Sequence, residues 1–333
     1  MTVGRSANGA PSPRRPRSAL LAGETQPFGD ILAAHVRRRE SQIVLGLDPD
    51  PSMLWPGADE SGGRGEDDEY ADRAERIVFP VIDHCRMVID AVAEACVAVK
   101  IQLACFERLG VAGWTALDGV ISYARKWGLL VIADGKRGDI DVSARAYAQA
   151  LFGGMETPFG HVQGLEVDLA TVNPLMGRDA VAPFVTAARD SRAGVLALVR
   201  TSNPGAADVE DLQVAGGGVV WERLARIVDQ LGRPGVGEGG LSDVGAVMGA
   251  TAPSQLSRAR ELMPHAVFLL PGVGAQGGRV EDLAPAFAPG RAGGLVTASR
   301  SIVNAYRARG GDPAEVARAE AERLRAAAWS LAS

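Results

Sequence analysis

The sequence predicts an α/β fold, a closed (β/α)8 TIM barrel, on three observations. Short apolar runs recur along the whole chain, segments of helical spacing separate them, and the 333 residues exceed the roughly 250 that such a barrel needs. The runs cover residues 43–47, 97–101, 129–133, 170–172, 195–199, 244–248, 266–270 and 294–297, eight in all. Runs that are apolar throughout read as strands buried on both faces, the pattern of a parallel sheet. Between them, residues 77–94, 114–127, 219–230 and 254–262 are rich in Ala, Arg, Glu and Leu at helical spacing. Eight alternating strand and helix units imply a parallel sheet that closes on itself. A doubly wound sheet is the competing arrangement, but no Gly-x-Gly-x-x-Gly follows the first run.

The surplus length falls in four places. Residues 1–27, rich in Pro, Arg and Ser, read as a flexible tail, leaving 28–333 as the barrel domain. Residues 56–70, rich in Gly, Asp and Glu, read as a mobile insertion after the first strand, and 205–240 as a loop carrying one helix. Residues 307–332 read as a last helix packed on the outside.

Composition narrows the partners. Hydrophobic residues make up 47% of the chain, enough for a large core, and the net charge is −5. With a pI near 5.5 and no basic block inside the folded region, neither nucleic acid nor an anionic membrane is an expected partner. Ser18–Gly23 follows several arginines, but its apolar core is too short for a signal peptide, and no stretch is long enough to span a bilayer. The three cysteines Cys85, Cys96 and Cys105 are odd in number and sit in apolar surroundings, which fits a reducing cytoplasm better than a disulfide framework. His35, His84, His161 and His265 show no ligand spacing, so no metal site is expected.

In a barrel the chemistry sits at the C-terminal ends of the strands. Residues 129–139 are the most informative stretch: Leu-Leu-Val-Ile-Ala-Asp-Gly-Lys-Arg-Gly-Asp. Strand alternation turns Asp134 and Lys136 to one side, a carboxylate beside an ammonium at the open end. Asp139 follows in the loop and can return a second carboxylate to the same ammonium. Three charges after an apolar strand are costly to desolvate, which marks them as functional. The second run ends at Lys100-Ile101-Gln102, and a lysine inside an apolar run calls for an anionic partner. Asp48-Pro49, after the first run, reads equally as a turn opener or as a ligand-facing carboxylate. Thr171-Val172-Asn173 and Thr201-Ser202-Asn203 offer either turn chemistry or polar groups suited to a planar substrate. The seventh run leads into Pro271-Gly272-Val273-Gly274-Ala275-Gln276-Gly277-Gly278 and the eighth into Ala298-Ser299-Arg300. Loops in these two positions form the recurrent phosphate site of such barrels, and Arg300 adds a bidentate donor fork.

Taken together, these residues resemble the orotidine 5′-phosphate decarboxylase family over about Ile43 to Ile302. The family signature Asp-x-Lys-x-x-Asp is matched by Asp134-Gly135-Lys136-Arg137-Gly138-Asp139, and its strand-two lysine by Lys100. Lys100 through Gly110, and the Arg-Gly inside the signature, look like the longer bacterial branch of the family. The resemblance implies cofactor-free and metal-free decarboxylation of orotidine 5′-phosphate to UMP in pyrimidine biosynthesis, in a cytoplasmic homodimer. It implies Lys136 as proton donor to C6, with Lys100, Asp134 and Asp139 completing a charge network in which Asp139 serves the partner subunit. It further implies that Asp48 and Lys100 contact the ribose, Ser202 the pyrimidine edge, and Gln276 and Arg300 the phosphate. Ser143 matches a substrate-binding hydroxyl, although Asp141-Val142 stands where the family often has small residues. Two other classes compete. One is a Mg2+-dependent sugar-phosphate decarboxylase or aldolase sharing the signature, which resembles this chain less at strand two, where it has an acidic ligand instead of Lys100. The other is a non-catalytic nucleotide-binding barrel.

Overall fold

The computed structural model describes residues 26–58, 73–274 and 276–331. Most of the tail expected over 1–27, and most of the insertion expected over 56–70, lies outside the described residues. Ten strands are present among them: β1 (Ile43–Leu47), β2 (Ala98–Gln102), β3 (Leu130–Arg137), β4 (Met155–Thr157), β5 (Gly160–Val162), β6 (Leu169–Val172), β7 (Gly194–Arg200), β8 (Val244–Met248), β9 (Phe268–Leu270) and β10 (Gly294–Ala298). Eight of them, all but β4 and β5, pair in parallel and close into a barrel through β1–β10. These are the eight predicted runs. Their apolar side chains are buried on both faces, those facing in filling the barrel and those facing out meeting the helices.

The helix Phe28–Arg39 plugs the N-terminal end of the barrel. Phe28, Leu32 and Val36 pack with Val44, Ala98 and Leu130 of the interior, which leaves the C-terminal end as the open one. Arg260 lies buried beside that plugged end. Its guanidinium donates to the carbonyls of Met263, Ala266, Ala286 and Gly293 at 2.6–3.1 Å and stacks 3.8 Å over the Phe268 ring. Both terminal nitrogens of this buried guanidinium are matched by carbonyls in this way, while its Nε has no hydrogen-bond partner among the described residues.

Three departures from the sequence reading have physical causes. The antiparallel hairpin β4–β5 projects after the helix Asp141–Leu151; it is short and polar, so no periodicity announces it. The expected terminal helix is two, Ala305–Arg309 and Pro313–Leu331, split where Gly310 and Gly311 take φ of +72° and +89° and Pro313 opens the second. The third departure is in β3 itself. It runs four residues past the expected end, and its pairing with β6 steps from Ala133–Ala170 to Arg137–Val172, four residue steps against two. A bulge, not simple alternation, therefore carries the charged signature.

Candidate active site

The bulge sets Lys136 in the left-handed region, φ +47°, unusual for a residue with a β-carbon. Two contacts hold it there. Its backbone N–H donates to Thr171 Oγ1 at 2.9 Å, and its Nζ donates to Asp134 Oδ1 at 2.6 Å. Thr171 in turn donates its hydroxyl proton to the same Asp134 Oδ1 at 2.8 Å. The other carboxylate oxygen, Oδ2, accepts from Lys100 Nζ at 2.6 Å, and Lys100 lies 3.8 Å from Asp48. Cation and anion alternate through the four side chains Asp48, Lys100, Asp134 and Lys136.

The two ammoniums differ in exposure. The side chains of Lys100 and Asp134 are 8% and 7% exposed, and that of Lys136 is 44% exposed, so the last faces the opening. Burial alone would push the Asp134 carboxyl up, but the ammoniums of Lys100 and Lys136 override it and hold it at about 2. Asp134 is therefore an anion throughout the neutral range. Its ionised form stabilises the fold above its unfolded value of 3.8, and that contribution is lost as pH falls through about 2. Asp134→Asn leaves two ammoniums facing each other, and is expected to cost on the order of 2–4 kcal/mol at pH 7. Denaturant titrations from pH 7 downward should show the gap between wild type and variant closing as pH drops below the unfolded value.

This cluster lies on one side of a cavity of about 520 Å³ at the open end of the barrel. Leu198, Val247 and Leu269 form its apolar wall, and Ser202, Gln276 and Arg300 stand around it. β1 must come close to the segment that carries Arg300, and Gly46 permits it: a β-carbon there would lie 1.7 Å from Ser299 Oγ. Beyond β9 the loop folds on itself, with Gly274 N–H donating to Gly278 O and Gly278 N–H to Gly272 O. Gln276 and Arg300 are both exposed at this rim.

Of the residues expected at the site, Asp48, Lys100, Asp134, Lys136, Ser202, Gln276 and Arg300 line this one cavity. Asp139 and Ser143 do not. Asp139 accepts from the Ile140 N–H at 2.8 Å, and Ser143 is exposed on the helix Asp141–Leu151. Within one chain Lys136 is thus paired to Asp134 and receives no second carboxylate from Asp139, contrary to the expectation from the loop.

Glu210 and Thr297 also line the cavity without having been singled out. Glu210 accepts from the backbone N–H of Thr201 at 2.8 Å and its hydroxyl at 2.9 Å, while Arg200 grips Asp211 at 3.0 and 2.9 Å. These bonds fix the loop that presents Ser202. Nothing in the local sequence marks Glu210, which lies within a long polar loop. Among the described residues no three His, Cys, Asp or Glu side chains gather as a metal-binding group, and no helix is long and apolar enough to cross a membrane.

Residues 41–319 match the family model described as Orotidine 5′-phosphate decarboxylase / HUMPS family. The chain belongs to this family. The orotidine 5′-phosphate decarboxylase of Rhodopirellula baltica is 40% identical over 283 residues, covering 84% of this chain and 89% of that protein. That of Deinococcus radiodurans is 40% identical over 279 residues, with the same coverage of 84% and 89%. Among solved structures, the OMP decarboxylase of Leishmania donovani superposes with a TM-score of 0.64 at 28% identity, over 91% of this chain and 99% of that one. Membership in the orotidine 5′-phosphate decarboxylase / HUMPS family agrees with the barrel and spans all eight of its strands.

Proposed function

We propose that this chain decarboxylates orotidine 5′-phosphate to UMP, a carboxy-lyase step of pyrimidine biosynthesis, with Lys136 delivering the proton to C6. The observation that carries the reading is the alternation of Lys136, Asp134 and Lys100, joined by two contacts of 2.6 Å along one side of a cavity that Arg300 also lines. When the C6–carboxyl bond breaks, its electron pair stays on C6 in an orbital that the ring cannot delocalise well. A fixed ammonium stabilises that pair electrostatically and then quenches it, passing one proton from Lys136 Nζ to C6. Asp134 keeps Lys136 in place and stands where it crowds the departing carboxylate. Gln276 and Arg300 hold the phosphate, remote from the reacting carbon, so its binding energy can be used in the transition state. Asp48 and Lys100 meet the ribose, and Ser202 the pyrimidine edge. The chemistry needs no metal or organic cofactor.

The Mg2+-dependent sugar-phosphate alternative fits the site less well. Both oxygens of Asp134 are engaged by ammoniums, so a cation placed against that carboxylate would face two positive charges at short range. Incubation with orotidine 5′-phosphate, following loss of its ultraviolet absorbance with and without EDTA, tests the reading. Turnover indifferent to chelation is expected. Loss on chelation and recovery with Mg2+ would favour the sugar-phosphate class, and UMP binding without turnover would leave a nucleotide-binding barrel.

Arg300→Ala checks the phosphate grip separately. Losing one charge-assisted fork should weaken UMP binding roughly ten- to a hundredfold. The effect should shrink sharply on orotidine, which offers no phosphate. An equal loss on both ligands would make Arg300 structural.

The same reading assembles two copies around the sites. Asp139 and Ser143 stay out of their own cavity and lie beside Ile140 and Val142, which are 51% and 67% exposed. Leu175 and Met176, after β6, are 70% and 49% exposed. Exposed apolar side chains on the segments that follow the neighbouring strands β3 and β6 are what a partner subunit would cover. In that homodimer Asp139 reaches the partner's Lys136. The three cysteines are unpaired, which supports a cytoplasmic setting, and the acidic net charge supports a small-molecule partner over nucleic acid.

A further inference from the structure

The backbone that carries Lys136 is braced from outside the cavity as well as from within it. Gly135 precedes Lys136 and Gly138 follows two residues on, so the chain here has wide conformational freedom, while Lys136 itself sits at an unfavourable φ of +47°. Arg137 supplies the outer brace, and neither it nor its partner Glu107 lines the cavity. Its Nη1 donates to the Gly135 carbonyl at 3.3 Å, reaching back across Lys136. Its Nη2 forms an ion pair with Glu107 on the short helix Leu103–Glu107, and the guanidinium lies 5.5 Å from the Tyr147 ring on the helix Asp141–Leu151. Gly135 makes room for this arrangement: a β-carbon there would lie 2.7 Å from Leu103 Cδ1 and 3.3 Å from Arg137 Nε.

The ends of the bulge are pinned separately. Gln102 Nε2 donates to the Asp134 carbonyl at 3.1 Å, and the Asn173 N–H donates to the Arg137 carbonyl at 2.7 Å. The Arg137 side chain spans the stretch between these pins and ties it to a helix. The Arg137 and Glu107 side chains are 23% and 30% exposed, so water and salt screen their pairing less than that of a surface pair. We infer that Glu107 and Arg137 are positioning residues for the decarboxylation: together they hold the backbone on both sides of Lys136 and so aim its ammonium at C6, without touching the ligand. A displaced proton donor slows the chemical step, whereas the phosphate grip at Arg300 is left as it was. The inference rests on Lys136 being the proton donor of the proposed reaction.

Glu107→Met and Arg137→Met break the brace while keeping side-chain length. Each should lower kcat for orotidine 5′-phosphate roughly tenfold, the order of one charge-assisted hydrogen bond, in assays run well below the melting temperature of each variant. KM and the dissociation constant of UMP should change by less than about twofold. Because the two residues act as one unit, the double variant should lose no more than Arg137→Met alone, instead of roughly a hundredfold. Glu107→Gln, which keeps an acceptor oxygen for Arg137, should recover most of kcat. An undiminished kcat in either Met variant overturns the inference, including one accompanied by a lower melting temperature, which would make the pair structural only. Losses that multiply in the double variant, or a KM that rises in step with the fall in kcat, overturn it as well. Absence of turnover in the wild type would instead remove the decarboxylase reading, and this inference with it.

Discussion

Lys136→Ala is expected to lower kcat by at least roughly a thousandfold, because one side chain supplies both the electrostatic stabilisation and the proton. The fold should tolerate the change. The Lys136 side chain is 44% exposed, and Asp134 keeps the Lys100 ammonium and the Thr171 hydroxyl as partners. UMP binding should fall much less than kcat, since Gln276 and Arg300 at the rim are untouched. Turnover followed by ultraviolet absorbance and UMP binding followed by calorimetry give the two quantities. If both fall together, Lys136 holds the ligand and is not the group that acts on the reacting carbon.

Mixing two inactive proteins should restore activity. Asp139→Ala alone is expected to be nearly inactive, because it removes the second carboxylate that the partner's Lys136 needs. In a heterodimer of Lys136→Ala with Asp139→Ala, one site carries both changes and the other carries neither. Activity should return toward roughly one working site per mixed dimer, given the isologous interface of a two-fold pair. The geometry motivates the experiment: Asp139 contacts the Ile140 N–H and makes no ion pair with its own Lys136. Subunit exchange without recovered activity would show that Asp139 acts within its own chain, and the shared site would be wrong.

Much of this protein was determined by local sequence. Eight apolar runs can bury both faces only in a covered parallel sheet, and β1 and β8 kept even their boundaries. The strand ends named Lys100, Asp134, Lys136 and Arg300, because a charge at the end of a buried run is conspicuous without any tertiary information. Other features depended on partners far away in the chain. The bulge that sets Lys136 at φ +47° is held by Thr171 on a neighbouring strand, 35 residues on, so alternation within β3 could not foresee it. Glu210 acts through Thr201, across a loop with no periodicity to read. Thr297 looks like any β-branched strand residue, and only the closed barrel shows its hydroxyl buried and unmatched. Asp139 carries the sharpest division. Its place in the signature is a property of the sequence, but which lysine it can reach is a question of distance, and distance belongs to the assembled fold.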